Sequence, residues 1–324
     1  MIVVTGGAGF IGSAIVHRLN ELGEEKIVII DELGSDDKWK NLVGLKYREF
    51  MNKNEFIQRV KEENVPFDIT SVIHMGACSA TTEKDADYLM RNNHQFSVEL
   101  CKYCLPRRAR FIYASSAATY GDGSGGYQDD DSKLDTLKPL NMYGYSKHLF
   151  DLWARQNRIT DKIVGLKFFN VYGPNEYHKG DMRSVVHKAY QQIQAEGKVS
   201  LFKSYKPEYK DGEQKRDFIY IKDAVEIVLF FFNNAEKNGL FNAGSGKANS
   251  WNDLVKPIFK AMDKKVNIEY VEMPEYLKGK YQYFTEADLS KLRAAGYDKQ
   301  MTGVEEGVFD YVKNYLIPEK NLAL

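Results

Sequence analysis

The chain has 324 residues, 43% of them hydrophobic, enough for a sizeable packed core in one large domain or two smaller ones. Forty-five basic and forty-five acidic residues balance to a formal charge of zero, so no global field is available to hold a nucleic acid or an anionic membrane, and an anionic ligand must be met locally. The longest apolar runs, such as Ile227 to Phe232, fall far short of the ~20 residues needed to cross a bilayer. Three cysteines, an odd and small count, fit a reducing compartment better than a disulfide framework.

Met1 to Val4 run straight into a Gly-rich turn with no charged n-region or cleavage site before it, so a cytoplasmic location is expected. Ile2 to Thr5 predicts the first strand. Thr5 to Gly12 then reads TGGAGFIG, which places Gly7, Gly9 and Gly12 in a GxGxxG spacing and Gly6, Gly9 and Gly12 in the GxxGxxG variant. Ser13 to Leu22, apolar at Ile15, Val16, Leu19 and Leu22, predicts the following helix, with Gly23 as its stop. A Gly-rich turn between strand and helix lets a pyrophosphate approach the helix N-terminus where Cβ atoms would obstruct it. The next strand, Lys26 to Asp31, ends on a carboxylate about 20 residues on, where a dinucleotide fold holds the adenosine ribose. Asp31 favours NAD; Lys38 and Lys53 could compensate the 2′-phosphate of NADP, and Glu32 would repel it, so the choice stays open on chemistry alone.

Further β-branched runs follow at Ser71 to His74, Phe111 to Ser115 and Ile163 to Phe169, alternating with amphipathic stretches, the pattern of a parallel sheet with helical crossovers. Cys101 and Cys104 form a CxxC pair with no second ligand pair at matching spacing, which predicts two half-buried cysteines on one helix face and no metal. Beyond Pro174 the alternation breaks down. Tyr205 to Gln214 predicts an exposed loop, and Leu240 to Gly246 one further strand and turn. The expected fold is α/β: a doubly wound parallel-sheet domain of residues 1–170 with 217–246, and a smaller mixed α/β substrate domain of residues 171–216 with 247–324, interleaved along the chain.

Tyr143 to Lys147 reads YGYSK, which puts a phenol and an ammonium on one helix face, one turn apart. A phenol of ordinary pKa ~10 is a poor base at neutral pH, and an adjacent cation favours the phenolate. Ser116, in ASSAATYG after the Phe111 strand, adds a hydroxyl for a substrate oxygen. Tyr145 is the neighbouring phenol, but four positions after it stands Leu149, which carries no charge.

Glycine turn, serine and YxxxK in this order resemble the extended short-chain dehydrogenase/reductase family of nucleotide-sugar epimerases, dehydratases and reductases, over almost the whole chain. FNVYGP (Phe169 to Pro174) and RDFIYIKD (Arg216 to Asp223) look like that family's substrate-site and domain-joining segments. Its dehydratases carry an Asp-Glu pair after the catalytic hydroxyl; here Ala117, Ala118 and Thr119 follow Ser116, which argues against elimination. HMGACSATTE (His74 to Glu83), NVYGPNEYHKG (Asn170 to Gly180) and LKGKYQYFTEADL (Leu277 to Leu289) are similar to the heptose 6-epimerase subfamily.

The resemblance implies a Rossmann domain, a nicotinamide cofactor and epimerisation of an ADP-heptose at its exocyclic carbinol, with Tyr143 serving one orientation of the intermediate ketone and Lys179 the other. It places Gly6, Gly9, Phe10, Ile11, Gly12, Asp31, Glu32, Lys38, Lys53, Met75, Gly76, Ala77, Cys78, Ser79, Asn92, Lys147, Val171 and Lys179 against the cofactor, NADP in the subfamily. Asn170, Phe202, Lys203, Ser204, Arg216 and Tyr281 would hold the ADP-sugar. On spacing alone Lys179 reads as a solvated loop lysine. Arg216 reads either as a planar fork on a diphosphate or as a salt-bridge partner of Asp217. The resemblance further implies a homo-oligomer, a pentamer, that supplies a sugar for lipopolysaccharide core. The alternatives are a UDP-hexose 4-epimerase or other nucleotide-sugar oxidoreductase and, from another class, a non-catalytic nicotinamide-binding sensor.

Overall fold

The computed structural model describes residues 1–278 and 281–324. In chain order the strands are β1 (Ile2–Thr5), β2 (Ile27–Asp31), β3 (Glu49–Asn52), β4 (Ser71–His74), β5 (Arg110–Ser116), β6 (Val164–Phe168), β7 (Asn170–Tyr172), β8 (Val199–Phe202), β9 (Lys215–Tyr220), β10 (Gly239–Ala243), β11 (Ala248–Ser250) and β12 (Ile268–Val271). The α-helices are α1 (Phe10–Glu21), α2 (Lys53–Lys61), α3 (Ala86–Leu89), α4 (Phe96–Cys104), α5 (Met142–Gln156), α6 (Val185–Glu196), α7 (Ile221–Asn233), α8 (Trp251–Ala261), α9 (Glu275–Lys278), α10 (Ser290–Ala294) and α11 (Val304–Tyr311).

Seven strands form one parallel sheet in the order β10-β6-β5-β4-β1-β2-β3. The chain winds outward from β1 through β2 to β3, then returns to β4 on the other side of β1, which is the doubly wound Rossmann order. The central strands β1 and β2 are buried at every residue, so they read as continuous apolar runs rather than alternating ones. Edge strand β3 buries Met51 alone, which is why no apolar run announces it. A second sheet pairs β7 with β9 in parallel and β9 with β11 antiparallel, and β8 with β12 form a third. The FNVYGP and RDFIYIKD segments thus lie side by side, with Asn170 opposite Phe218 and Tyr172 opposite Tyr220.

The largest apolar cluster runs from Ile15 and Ile29 of the main sheet through Phe231 and Phe241 to Leu254, Phe259 and Tyr311, so both sheet regions share one core. Helix α1 starts at Phe10, three residues before the expected Ser13, because Gly9 provides its extended N-terminal flank directly. Cys101 and Cys104 are fully buried rather than half-buried. Helix α4 packs both against Phe56, Val60 and Phe111, and burial pushes the thiols up, that of Cys104 to about 12. Residues 203–214 form the expected loop without regular structure, and Gly239–Ala243 supplies the further strand as the last of the parallel sheet. No helix among the described residues is long and apolar enough to cross a membrane. Gly279 and Lys280 of the LKGKYQYFTEADL segment lie outside the described residues.

Phe231 is fully buried, its ring 4.5 Å from that of Phe241 and 5.0 Å from that of Phe230. Phe231→Ala should cost about 3–5 kcal/mol in urea unfolding with an unchanged slope, and a loss below about 1 kcal/mol would contradict this core.

Candidate active site

The switch point between β1 and β4 is where an open parallel sheet presents a crevice to ligands. Thr5 and His74, the last residues of the two strands, lie opposite each other. Beyond them the backbones close up: a Cβ on Gly6 would meet the Gly76 backbone at 2.7 Å, and Gly6 holds a left-handed φ of 67°. A Cβ on Gly12 would lie 2.0 Å from the Gly6 carbonyl oxygen. The side chains beneath are locked together. Ser97 Oγ donates to Asn93 O at 2.5 Å and so accepts from His74 Nε2 at 2.9 Å, which leaves His74 Nδ1 to accept from Thr5 Oγ1 at 2.6 Å. Burial pulls the His74 pKa to about 3 and keeps the ring neutral, as this pattern requires.

The turn opens into a cavity of about 430 Å³. Of the residues expected against the cofactor, Gly6, Gly9, Phe10, Ile11, Gly12, Asp31, Glu32, Lys38, Lys53, Met75, Gly76, Ala77, Cys78, Ser79, Asn92 and Lys179 line it. Lys147 and Val171 do not; Lys147 lies deeper, and Val171 sits on β7 opposite Ile219. The cavity also takes in Asp36, Tyr88, His178 and Met182, which the sequence reading missed. A backbone cradle that a Cβ would fill, a helix N-terminus and an acidic strand end together fit a dinucleotide.

At the far end Asp31 accepts from Ala8 N at 2.9 Å, from Glu32 N at 2.7 Å and from Lys38 Nζ at 3.0 Å. Lys53 pairs with Glu32 at 2.6 Å and donates to Asn92 at 3.1 Å, and that pairing holds the Glu32 carboxyl below its ordinary value. Both lysines are therefore held beside carboxylates at the end where an adenosine ribose would lie.

Helix α5 delivers the phenol and ammonium. Asn141 caps it by accepting from Gly144 N at 2.8 Å, and Gly144 lets it approach the turn after Ser116, since a Cβ there would stand 2.7 Å from Ala118 O. Lys147 is buried and donates to Ala114 O at 2.8 Å, inside the strand that ends at Ser116. Burial raises the Tyr143 phenol, and the Ser116 hydroxyl pulls the other way. Tyr145 is 45% exposed and faces away from this cluster.

Lys179 is not a solvated loop lysine. It lines the cavity with its ammonium 5.3 Å from the centre of the Phe10 ring, and burial lowers its pKa against the opposing pull of Glu176. Glu176, fully buried, accepts from Ser184 N at 2.5 Å and Ser184 Oγ at 2.6 Å, which closes the 176–184 segment into a loop around Lys179. His178 beside it is pulled to about 4 by burial and meets Asn41 Nδ2 at 3.3 Å. Asp181 is exposed at the turn.

On the other side Phe202, Arg216 and Tyr281 come together. The Phe202 and Tyr281 rings are 6.3 Å apart, and the Arg216 guanidinium lies 5.2 Å from the Tyr281 ring and 5.7 Å from that of Trp251. Trp251, invisible as a site residue in the sequence, donates to Tyr281 Oη at 2.8 Å. Arg216 is 8% exposed and does not pair with Asp217, whose carboxylate accepts instead from Ser245, Gly246 and Ala287 backbone N–H groups. Arg216 therefore has no carboxylate partner among the described residues, and its guanidinium donates to the Lys215 and Gln282 carbonyls. Lys203 and Ser204 turn elsewhere, Lys203 to Glu272 at 2.7 Å and Ser204 to Lys206 O at 3.0 Å, while Asn170 is exposed at the start of β7.

Gly12→Ala should weaken nicotinamide dinucleotide binding at least about tenfold in calorimetry, because the new methyl must displace the Gly6 carbonyl that shapes the cradle. Unchanged affinity would show that the turn does not set the approach.

The model of the NAD dependent epimerase/dehydratase family matches residues 2–244. The chain is 58% identical over 316 residues to the ADP-L-glycero-D-manno-heptose-6-epimerase of Nitratidesulfovibrio vulgaris strain DP4, covering 98% of each chain. It is 52% identical over 329 residues to that of Fusobacterium nucleatum subsp. nucleatum, covering 98% of this chain and 99% of the relative. Among solved structures, the Helicobacter pylori ADP-L-glycero-D-manno-heptose-6-epimerase superposes with a TM-score of 0.79 at 28% identity, over 97% of this chain and 95% of that one. A Rossmann sheet with a glycine cradle at its switch point, a serine at the end of β5 and a Tyr-Lys pair on α5 agree with that match along the chain: the protein is a nicotinamide-dependent enzyme of the NAD dependent epimerase/dehydratase family.

Proposed function

We propose that this enzyme interconverts the two carbinol epimers of ADP-glycero-manno-heptose, taking a hydride from one face of the exocyclic carbon and returning it to the other. The observation that carries the reading is Lys179, a half-buried amine that lines the dinucleotide cavity from a different element than the one bearing Tyr143. A 4-epimerase or simple reductase has no need of it. The relatives' names support the substrate, as they extend over nearly the full length of both chains.

A bound nicotinamide supplies the acceptor and donor of hydride. Ser116 orients the substrate oxygen, and Tyr143 removes its proton as the carbinol becomes a ketone. Lys147 holds positive charge beneath the strand that ends at Ser116 and would hold the ribose of a bound nicotinamide. The ketone must present its opposite face before reduction, and one fixed phenol is awkward for both orientations. Lys179, with its pKa lowered by burial, moves the proton in the second. The Arg216 fork, which has no carboxylate partner among the described residues and is flanked by Phe202, Trp251 and Tyr281, takes the diphosphate. We assign NADP as the cofactor: Lys38 and Lys53 stand at the Asp31 end of the cavity and can turn from their carboxylates to a 2′-phosphate, while Asp31 itself would serve NAD. The product feeds lipopolysaccharide core in the cytoplasm, and the working assembly is a homo-oligomer, a pentamer, on the strength of the family resemblance.

Purified protein should convert ADP-D-glycero-D-manno-heptose to an epimer mixture with no added reductant, while UDP-glucose stays unchanged. Lys179→Ala should lose about 10²–10⁴-fold in kcat while still binding dinucleotide, as expected for one acid-base group. Unchanged turnover in that variant would end the two-base reading.

A further inference from the structure

Behind Ser116, Tyr143 and Lys147 lies an ion pair that no reacting atom touches. Lys167 of β6 and Asp151 of α5 meet at 3.0 Å with 1% and 0% of their side chains exposed. Two hydroxyls from alternate residues of β5 also reach the carboxylate: Tyr113 donates to Oδ1 at 2.9 Å and Ser115 to Oδ2 at 2.8 Å. Lys167 Nζ donates onward to Thr119 Oγ1 at 2.6 Å, and Thr119 donates to the Ser116 carbonyl at 2.8 Å. An ion pair this deep gives less stability than apolar residues of the same volume would, so a purely structural purpose explains it poorly. Three members of the network stand beside a reacting group. Ser115 adjoins Ser116, Thr119 ties back to Ser116, and Asp151 stands one turn after Lys147 on the same helix face.

We propose that Asp151 is a positioning residue: anchored to β5 and β6, its carboxylate sets the seat of α5 against the sheet and stands, one turn along the helix, as the counter-charge of the Lys147 ammonium. The inference rests on the roles given above to Tyr143 and Lys147. Burial brings the Lys147 pKa down to about 8, with Asp151 and then Cys78 pulling it back up. The other groups around it are the neutral His74 ring of β4, Tyr143 on its own helix, and, beyond Asp151, the Lys167 ammonium and the Tyr113 phenol. Asp151 is the one carboxylate acting on Lys147 among the described residues. Its removal lowers the Lys147 pKa, so the ammonium is lost nearer neutrality.

The test compares Asp151→Asn and Asp151→Glu with the native enzyme across the neutral and alkaline range. In Asp151→Asn the alkaline limb of kcat should move about one pH unit toward neutrality with KM within about twofold, and Asp151→Glu should restore most of the shift. An unmoved limb in a folded Asp151→Asn protein overturns the proposal. The doubly substituted Tyr113→Phe, Ser115→Ala keeps both charges and cuts the two hydroxyl anchors; it should lose about tenfold in kcat with the limb in place, and native turnover there overturns the seating role. NMR titration of Lys147 in protein carrying 13C at lysine Cε reports its protonation without substrate and should show the same downward move in Asp151→Asn. A native enzyme inactive on the ADP-heptose would sink the substrate assignment and leave the NMR titration to decide this one.

Discussion

The backbone of Gly6 touches the backbone of Gly76, and that contact is the constraint on which the site depends. It exists because β1 and β4 are neighbours in the sheet although the chain visits β2 and β3 between them. With no side chain at either position, the turn after β1 and the loop after β4 close over the switch point and leave the N-terminus of α1 facing the crevice. Gly12 extends the same requirement into the helix, packing α1 against the turn it follows. The neutral His74, bonded to Thr5 and Ser97, fixes both strand ends from below without placing a charge beneath the anion site.

Around this cradle the chemistry is arranged by burial. Lys147 and Lys179 are both desolvated, which lowers the cost of giving up a proton, and each is steadied by one carboxylate, Asp151 for the first and Glu176 for the second. Neither carboxylate faces solvent. Tyr143 is raised by burial, and the hydroxyl of Ser116 pulls the other way. The Lys147 ammonium is anchored to Ala114 O, in the strand that carries Ser116.

Much of the fold was legible because its signals are local. Apolar runs flanked by Gly mark the central strands, the Gly spacing marks the turn, and YxxxK on an amphipathic stretch marks α5. Strand β3 was not legible, since an edge strand burying one residue carries no pattern. The site was legible where motifs are contiguous and obscure where it is assembled from afar. Trp251 joins Arg216 and Tyr281 only because β11 pairs with β9, and nothing in its own neighbourhood announces that role. Asp151, Lys167 and Glu176 are charged residues with no exposure, and a sequence cannot distinguish them from solvated ones until their partners Tyr113, Ser115 and Ser184 are placed. Arg216 beside Asp217 shows the converse: adjacency in sequence allows a pair as well as a diphosphate fork, and the structure does not form the pair.

The central claim is that hydride leaves and returns to the same carbinol carbon inside one closed site. The direct measurement is to run the epimerisation in heavy water and follow that carbon by proton NMR. The account predicts that both epimers retain their carbon-bound hydrogen, with no solvent deuterium incorporated. Deuterium appearing there as the epimers interconvert would mean that the carbon exchanges a proton with solvent, and would contradict the hydride route and the roles assigned to Tyr143 and Lys179.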